Sequence, residues 1–144
     1  MTRVDIIPVE LLTDKHLLST YREITRVSKK SRPLADYGYY KMGKGHVLHF
    51  YNKGLYLAKH TNDLYHECIR RGFNVQLKIY RMHEEGLNED WSPTLDDIYA
   101  NLERIYYKIS IGNYRYNKEP ISLEQYKVML EEWIEFKYKK SKVI

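Results

Sequence analysis

The chain has little of what holds small secreted or membrane-bound proteins together. Among 144 residues there is one cysteine, Cys68, so no internal disulfide can form and a reducing intracellular compartment fits best. The first residues alternate charged and apolar, with no long apolar run, so no secretory signal is expected. No stretch approaches the roughly 20 apolar residues that cross a bilayer, and no membrane partner is expected. Internal repeats, low-complexity tracts and convincing linkers are missing as well. One domain over residues 1–144 follows, read as a monomer and long enough to bury a real core without staples.

Familiar enzyme signatures are also scarce. There is no Walker-type loop and no zinc spacing of cysteines. The six histidines include His46 and His49 in "HVLH", and His60 with His66. None pairs with a carboxylate at a metal-ligand spacing, so they read as satisfied or surface groups, and neither metal nor cofactor is expected. "GKGH" lacks the strand-to-helix context of a nucleotide fingerprint and reads as a tight turn.

What the chain does have is charge in blocks. Residues 1–45 carry nine Lys/Arg against five Asp/Glu, and 46–81 carry six against two. Residues 82–104 reverse to seven acids and one base, and 105–118 return to three bases without an acid. Such polarity suits a face for a polyanion. Fifteen tyrosines are the other excess, several interleaved with bases in "DYGYYKMGKG" (36–45) and "NYRYNK" (113–118). Rings beside cations stack on bases while the cations hold phosphates, although most of the fifteen are expected to fill helix faces.

Periodicity is helical. Behind Thr13-Asp14, Leu17, Tyr21, Ile24 and Val27 recur at three- and four-residue spacing, predicting a helix over about 14–30 that ends before Arg32-Pro33. A second helix over about 53–71 carries Leu57, Leu64, Tyr65 and Cys68 and stops at Gly72. "VQLKIY" (75–80) suits a short strand. "SPTLDD" gives a cap residue in Ser92, Pro93 at the first turn and acids near the positive end of the dipole. It starts a third helix that runs to about Ser110, with Leu95, Ile98, Leu102, Ile105 and Ile109 along one stripe. Ser122 and Gln125 form a capping box for a last helix with Tyr126, Met129, Leu130, Trp133 and Phe136 inward. The fold class is all-α: a compact bundle of three core helices with long loops, plus an extra C-terminal helix over 119–144 that caps the core or binds a partner.

The first helix carries the chemistry. Arg22 and Arg26 share a face at i,i+4, Glu23 lies beside them, and His16 falls nearly two turns earlier. Alone, "YREITR" is an ordinary solvated surface. It gains meaning from a short leader, "MTRVD", that can fold back across it. Thr is small enough for the initiator Met to be removed, leaving a free α-amine on Thr2. Such an amine titrates near 7.7–8.0 against about 10.4 for lysine, so roughly a tenth is neutral at pH 7. Arg3, Arg22 and Arg26 nearby would raise that fraction. An amine in a cationic pocket forms Schiff bases with carbonyl-like carbons, such as C1′ of a sugar losing its base. Glu23 would then stabilise positive charge on the sugar and shuttle protons.

These residues resemble the pyrimidine-dimer DNA glycosylase/AP lyase family of T-even phages and chlorella viruses. "MTRV" followed by "HL…YREI.RV" is similar to the family's N-terminal signature, with Thr2, Arg3, His16, Tyr21, Arg22, Glu23 and Arg26 in register without a gap. The likeness resumes in "GKGHVLHFYNK" (43–53), which contains Lys44, and in "ECIRRGFN" (67–74). It continues through "DWSP" (90–93) and "LERIYYKI" (102–109), where Arg104 and Lys108 match a family Arg and Lys spaced four apart. Tyr114, Arg115 and Tyr116 are similar to the family's aromatic-basic run near its C-terminus.

The resemblance implies that the Thr2 amine attacks C1′ of the 5′ nucleotide of a cyclobutane pyrimidine dimer in duplex DNA. An imino intermediate and β-elimination on the 3′ side then follow. It implies Glu23 as the catalytic carboxylate. Arg3, His16, Arg22, Arg26, Lys44, Arg104, Lys108, Tyr114, Arg115 and Tyr116 are the implied DNA-binding set. The chain departs from the phage pattern in a shorter segment between Val27 and Gly43, a reduced aromatic run and the added last helix. Two alternatives remain beside this reading: a non-catalytic module that binds damaged DNA, and the same chemistry directed at another modified pyrimidine or at abasic sites.

Overall fold

The computed structural model describes residues 3–27, 40–43, 46–82 and 87–142, the last five as backbone alone. Four helices make up the architecture: α1 (Asp14–Ile24), α2 (Gly54–Arg70), α3 (Leu95–Ile111) and α4 (Leu123–Lys142). Short 3-10 turns at Val9–Leu11 and His46–Phe50 lead into α1 and α2. The only strands among the described residues, β1 (Tyr114–Tyr116) and β2 (Glu119–Ile121), form one antiparallel hairpin between α3 and α4. The protein is thus all-α with an extra C-terminal helix, as its periodicity predicts.

Each helix follows from its apolar spacing. Leu17, Tyr21 and Ile24 of α1 bury against Leu57, Leu64 and Cys68 of α2, and Leu102, Ile105 and Ile109 of α3 join the same core. Full burial of side chains such as Leu17, Leu57 and Leu64 contributes about 1.5–3 kcal/mol each. Thr13 caps α1 by accepting the His16 backbone N–H at 3.2 Å. At the other end of α2, Gly72 sits at φ +81°, where the Phe73 N–H reaches Cys68 O and the Gly72 N–H reaches Ile69 O. That is the Schellman closure that a residue without Cβ permits. Gly54 opens α2 where a Cβ would lie 2.1 Å from Asn88 Oδ1, so residues 87–89 lie directly on the helix start.

Four expectations are corrected. Helix α1 ends at Ile24, because Arg26 N–H bonds to Glu23 O and Val27 N–H to Ile24 O, tightening the chain out of α geometry. The expected extension beyond residue 27 falls outside the described residues. Residues 75–80 are extended but pair with no strand. The cap of α3 is Thr94 rather than the Ser92-Pro93 pair, since Thr94 and Asp97 exchange reciprocal hydrogen bonds as a capping box. Phe136 of α4 is 61% exposed, and Leu95 of the α3 stripe is likewise exposed.

A buried cation ties the elements together. Arg71 donates to Glu67 Oε2 at 2.7 Å and to Asp14 Oδ1 at 3.0 Å, and it also reaches the carbonyls of Val9 and Glu10. Its guanidinium lies 4.2 Å from the centre of the Tyr116 ring. Asp14 in turn accepts the backbone N–H groups of Asn117 (2.8 Å) and Lys118 (2.7 Å). Those two residues form the hairpin turn, both with positive φ (50° and 72°), as a two-residue turn of the primed type demands. Neither is glycine, so the Asp14 carboxylate offsets the backbone cost. Helix α4 covers this corner through buried Tyr126, whose hydroxyl donates to Leu11 O at 2.7 Å, and Trp133, whose ring N–H donates to Glu10 Oε1 at 3.0 Å.

Candidate functional site

The leader preceding the first turn makes no ladder with any strand, and its backbone groups are satisfied by side chains instead. Arg3 N–H donates to Glu23 Oε2 (3.3 Å) and Val4 N–H to His46 Nε2 (3.0 Å). Ile6 and Ile7 N–H groups both donate to Asn101 Oδ1, at 2.7 and 3.2 Å. Asp5 O accepts from His60 Nε2 at 2.7 Å. The Asp5 carboxylate accepts from Asn101 Nδ2 (2.9 Å) and Thr20 Oγ1 (3.0 Å). Acceptors and donors thus come from α1, α2, α3 and the turn at His46, and Val4 through Ile7 are all buried. Each bond satisfies a group whose burial would otherwise be costly, so the path of the leader is fixed.

The histidines in this clamp are neutral. His46 Nδ1–H donates to Lys41 O at 2.7 Å, which leaves Nε2 as the acceptor for Val4. Burial holds both His46 and His60 below the usual imidazole range. They are satisfied groups, as their sequence setting suggests. Among the described residues no group of three or more His, Cys, Asp or Glu side chains is placed to hold a metal.

At the leader's outer end, Glu23 is half-buried beneath Arg3, while Arg22 beside it on α1 and Arg26 just past the helix end are exposed. His16 lies one helical face away, its ring stacked on Tyr114 with centroids 5.0 Å apart and planes within 4°. Thr13 Oγ1, which accepts the His16 backbone N–H, also lies within hydrogen-bond distance of His16 Nδ1, at 2.6 Å. Burial lowers the His16 pKa; Asp5 opposes the shift, while Lys15, Arg3 and Lys108 reinforce it. Lys15 also lies 5.4 Å from the Tyr114 ring centre.

Arg104 and Lys108 are both half-buried, one turn apart on α3 and C-terminal to Asn101 on the same helix. The Arg104 Nε is buried without a hydrogen-bond partner among the described residues. The hairpin divides its three candidate residues. Tyr114 stacks on His16, Arg115 is exposed, and Tyr116 faces the scaffold, with its hydroxyl donating to Glu10 O at 2.6 Å. The structure thus sets Arg3 against Glu23 and His16 against Tyr114, with Arg3 and Lys108 near enough to act on the His16 ring. Thr2 and Lys44 lie outside the described residues.

A groove of about 620 Å³ between residues 6–10, α2 and the start of α3 contains none of the candidate residues. Sequence reasoning missed Asp5, Thr20 and Asn101, and it gave His46 and His60 no task. Nothing in the local pattern marks them, since their partners lie 15 to 96 residues away.

A family model described as pyrimidine dimer DNA glycosylase matches residues 1–81. That span contains the leader, α1, the turn at His46–Phe50 and α2.

Proposed function

The chain belongs to the pyrimidine dimer DNA glycosylase family, and on that premise we propose a bifunctional enzyme that both releases the base and cuts the strand. Its substrate is duplex DNA carrying cyclobutane pyrimidine dimers, and it works as a monomer of one domain. The nucleophile is the α-amine of Thr2, exposed when Met1 is removed. The observation that carries this reading is the 3.3 Å hydrogen bond from Arg3 N–H to Glu23. Three covalent bonds separate the Thr2 nitrogen from the Arg3 nitrogen, so at standard geometry they lie within roughly 4 Å of each other. We read Glu23 as the carboxylate that serves this amine.

The amine attacks C1′ of the 5′ nucleotide of the dimer, and the glycosidic bond breaks with its electron pair leaving on the base. Glu23 takes a proton from the nitrogen, and the sugar opens to an imine. Loss of a C2′ proton then expels the 3′ phosphate by β-elimination. A nucleotide opposite the lesion is extruded to give access, which costs less where pairing is already damaged. Arg22, Arg26, Lys44, Arg104, Lys108 and Arg115 supply phosphate contacts, and Arg3 is the contact nearest the sugar. Tyr114 with His16 offers a stacking surface, while Tyr116 sets the hairpin that presents it.

Borohydride trapping on irradiated duplex, with the N-terminus read by mass spectrometry, tests the reading. A covalent adduct on a chain starting at Thr2 is expected. No adduct from such a chain overturns the mechanism in favour of a binding module. A panel of dimers, other modified pyrimidines and abasic sites then fixes the lesion.

A further inference from the structure

Residues 74–82, "NVQLKIYRM", run extended from the end of α2 and join no sheet. They are strapped to α1 by hydroxyls. Tyr21 Oη donates to Gln76 O at 2.5 Å and accepts the Lys78 N–H at 2.8 Å, and Tyr80 Oη donates to Val27 O at 3.1 Å. Tyr80 is buried, and the Lys78 ammonium lies 5.7 Å from the centre of the Tyr21 ring. The backbone is therefore fixed along the C-terminal half of α1 and the turn that follows it, the stretch where Arg22, Glu23 and Arg26 lie.

What the strap presents outward is apolar. Leu77 is 61% exposed, Ile79 75% and Met82 50%. Leu77 and Ile79 are two apart in an extended run and share one side. Single exposed apolar residues are ordinary, but three within six residues make a patch. The charges within the strap are the cations Lys78 and Arg81, with no acid between 74 and 82. The stretch beneath carries Arg22 at the end of α1 and Arg26 just past it, with Glu23 between them. An apolar ridge set in positive charge fits a polyanion with apolar faces between its charged edges, which is nucleic acid opened at a base step.

We propose that Leu77 and Ile79 form a wedge that enters the base stack of the substrate duplex and holds open the step at which a nucleotide is extruded. Apolar side chains inserted between base steps unstack and kink a duplex while neighbouring cations hold its phosphates. Here Tyr21 couples the wedge to the site, because its hydroxyl braces the strap and its neighbours in sequence are Arg22 and Glu23. The proposal rests on the reading of the site as one that acts on duplex DNA.

The test uses the double variant Leu77→Ser, Ile79→Ser in the full chain. Both positions are exposed, so its melting temperature should match the wild type. Two lesion duplexes are compared, one fully paired and one with the nucleotides opposite the dimer replaced by abasic residues. Each carries 2-aminopurine beside the lesion to report unstacking. Single-turnover base release on the paired duplex should fall about tenfold or more, with a weaker fluorescence rise on binding. On the pre-opened duplex the variant should stay within about twofold of wild type, since the step no longer needs to be opened. Equal rates on the paired duplex, or an equal loss on both, overturn the wedge. Wild type that releases no base from either duplex overturns the functional reading instead, while the fluorescence comparison still decides the wedge.

Discussion

Asn101 holds Ile6 across 95 residues of sequence, its side-chain oxygen accepting the Ile6 backbone N–H at 2.7 Å. The same oxygen takes the Ile7 N–H, and the amide nitrogen donates to Asp5. Asn101 is fully buried, so no water can replace it cheaply. Asn101→Ala should destabilise the protein by about 2–4 kcal/mol, as buried groups lose partners. Urea denaturation measures this. A change under about 0.5 kcal/mol would mean that the leader finds other partners.

Glu23→Gln keeps an oxygen for the Arg3 N–H but loses the charge. Base release should fall by about 100-fold or more while affinity for lesion duplex is retained. Single-turnover kinetics beside a binding titration separates the two, and unchanged release would remove Glu23 from the mechanism.

Burial lowers the folded pKa of His16, His46 and His60. Their unfolded value is about 6.5, so the unfolded chain binds more protons below that pH. The stability they contribute is full above about pH 6.5 and is lost as pH falls from there towards the folded values. For His46 the cause is visible: a proton on Nε2 would face the Val4 N–H. The melting temperature should drop between about pH 7 and 5, and less steeply in His46→Gln. A flat profile over that window would contradict the assigned tautomers.

Asp14→Ala removes the acceptor of both turn N–H groups and one partner of buried Arg71. A loss of about 3–5 kcal/mol is expected, because a buried cation is left with less compensation. Amide exchange at Asn117 and Lys118 should accelerate with it. Protection unchanged at those amides would show that the turn stands without Asp14.

Arg22→Gln with Arg26→Gln should weaken binding to damaged and undamaged duplex alike. The slope of log K against log salt should become shallower by about 1.8, because each phosphate that goes unneutralised removes about 0.9. An unchanged slope would place the duplex elsewhere on the surface.

Local chemistry is readable from the chain and distant chemistry is not. Leu17, Tyr21 and Ile24, or Leu57, Leu64 and Cys68, declare their helices because burial recurs with the helical period. The end of α1 escapes that reading because Val27 is buried by a tightened turn that keeps the same spacing. The hairpin at 114–121 is invisible for a different reason. "YRYNKEPI" lacks a turn glycine, and the group that stabilises Asn117 and Lys118 at positive φ is Asp14, more than 100 residues earlier. Arg22, Glu23 and Arg26 stand out by helical spacing. Asn101 does not, since a lone Asn in a helix has no signature until its partners are known.

The clamp on the leader also sets a constraint of length. Acceptors on three elements and a donor on a fourth meet the N–H groups of residues 3, 4, 6 and 7 and the carbonyl of Asp5 in fixed register. The segment acts as a ruler measured in residues, and substitution within it matters less than counting. One residue inserted ahead of Asp5 would leave every acceptor occupied by the wrong amide or push the chain end past Glu23. Any tag, retained methionine or fused sequence at that end meets the same fixed scale, and a single added peptide unit is already a full graduation.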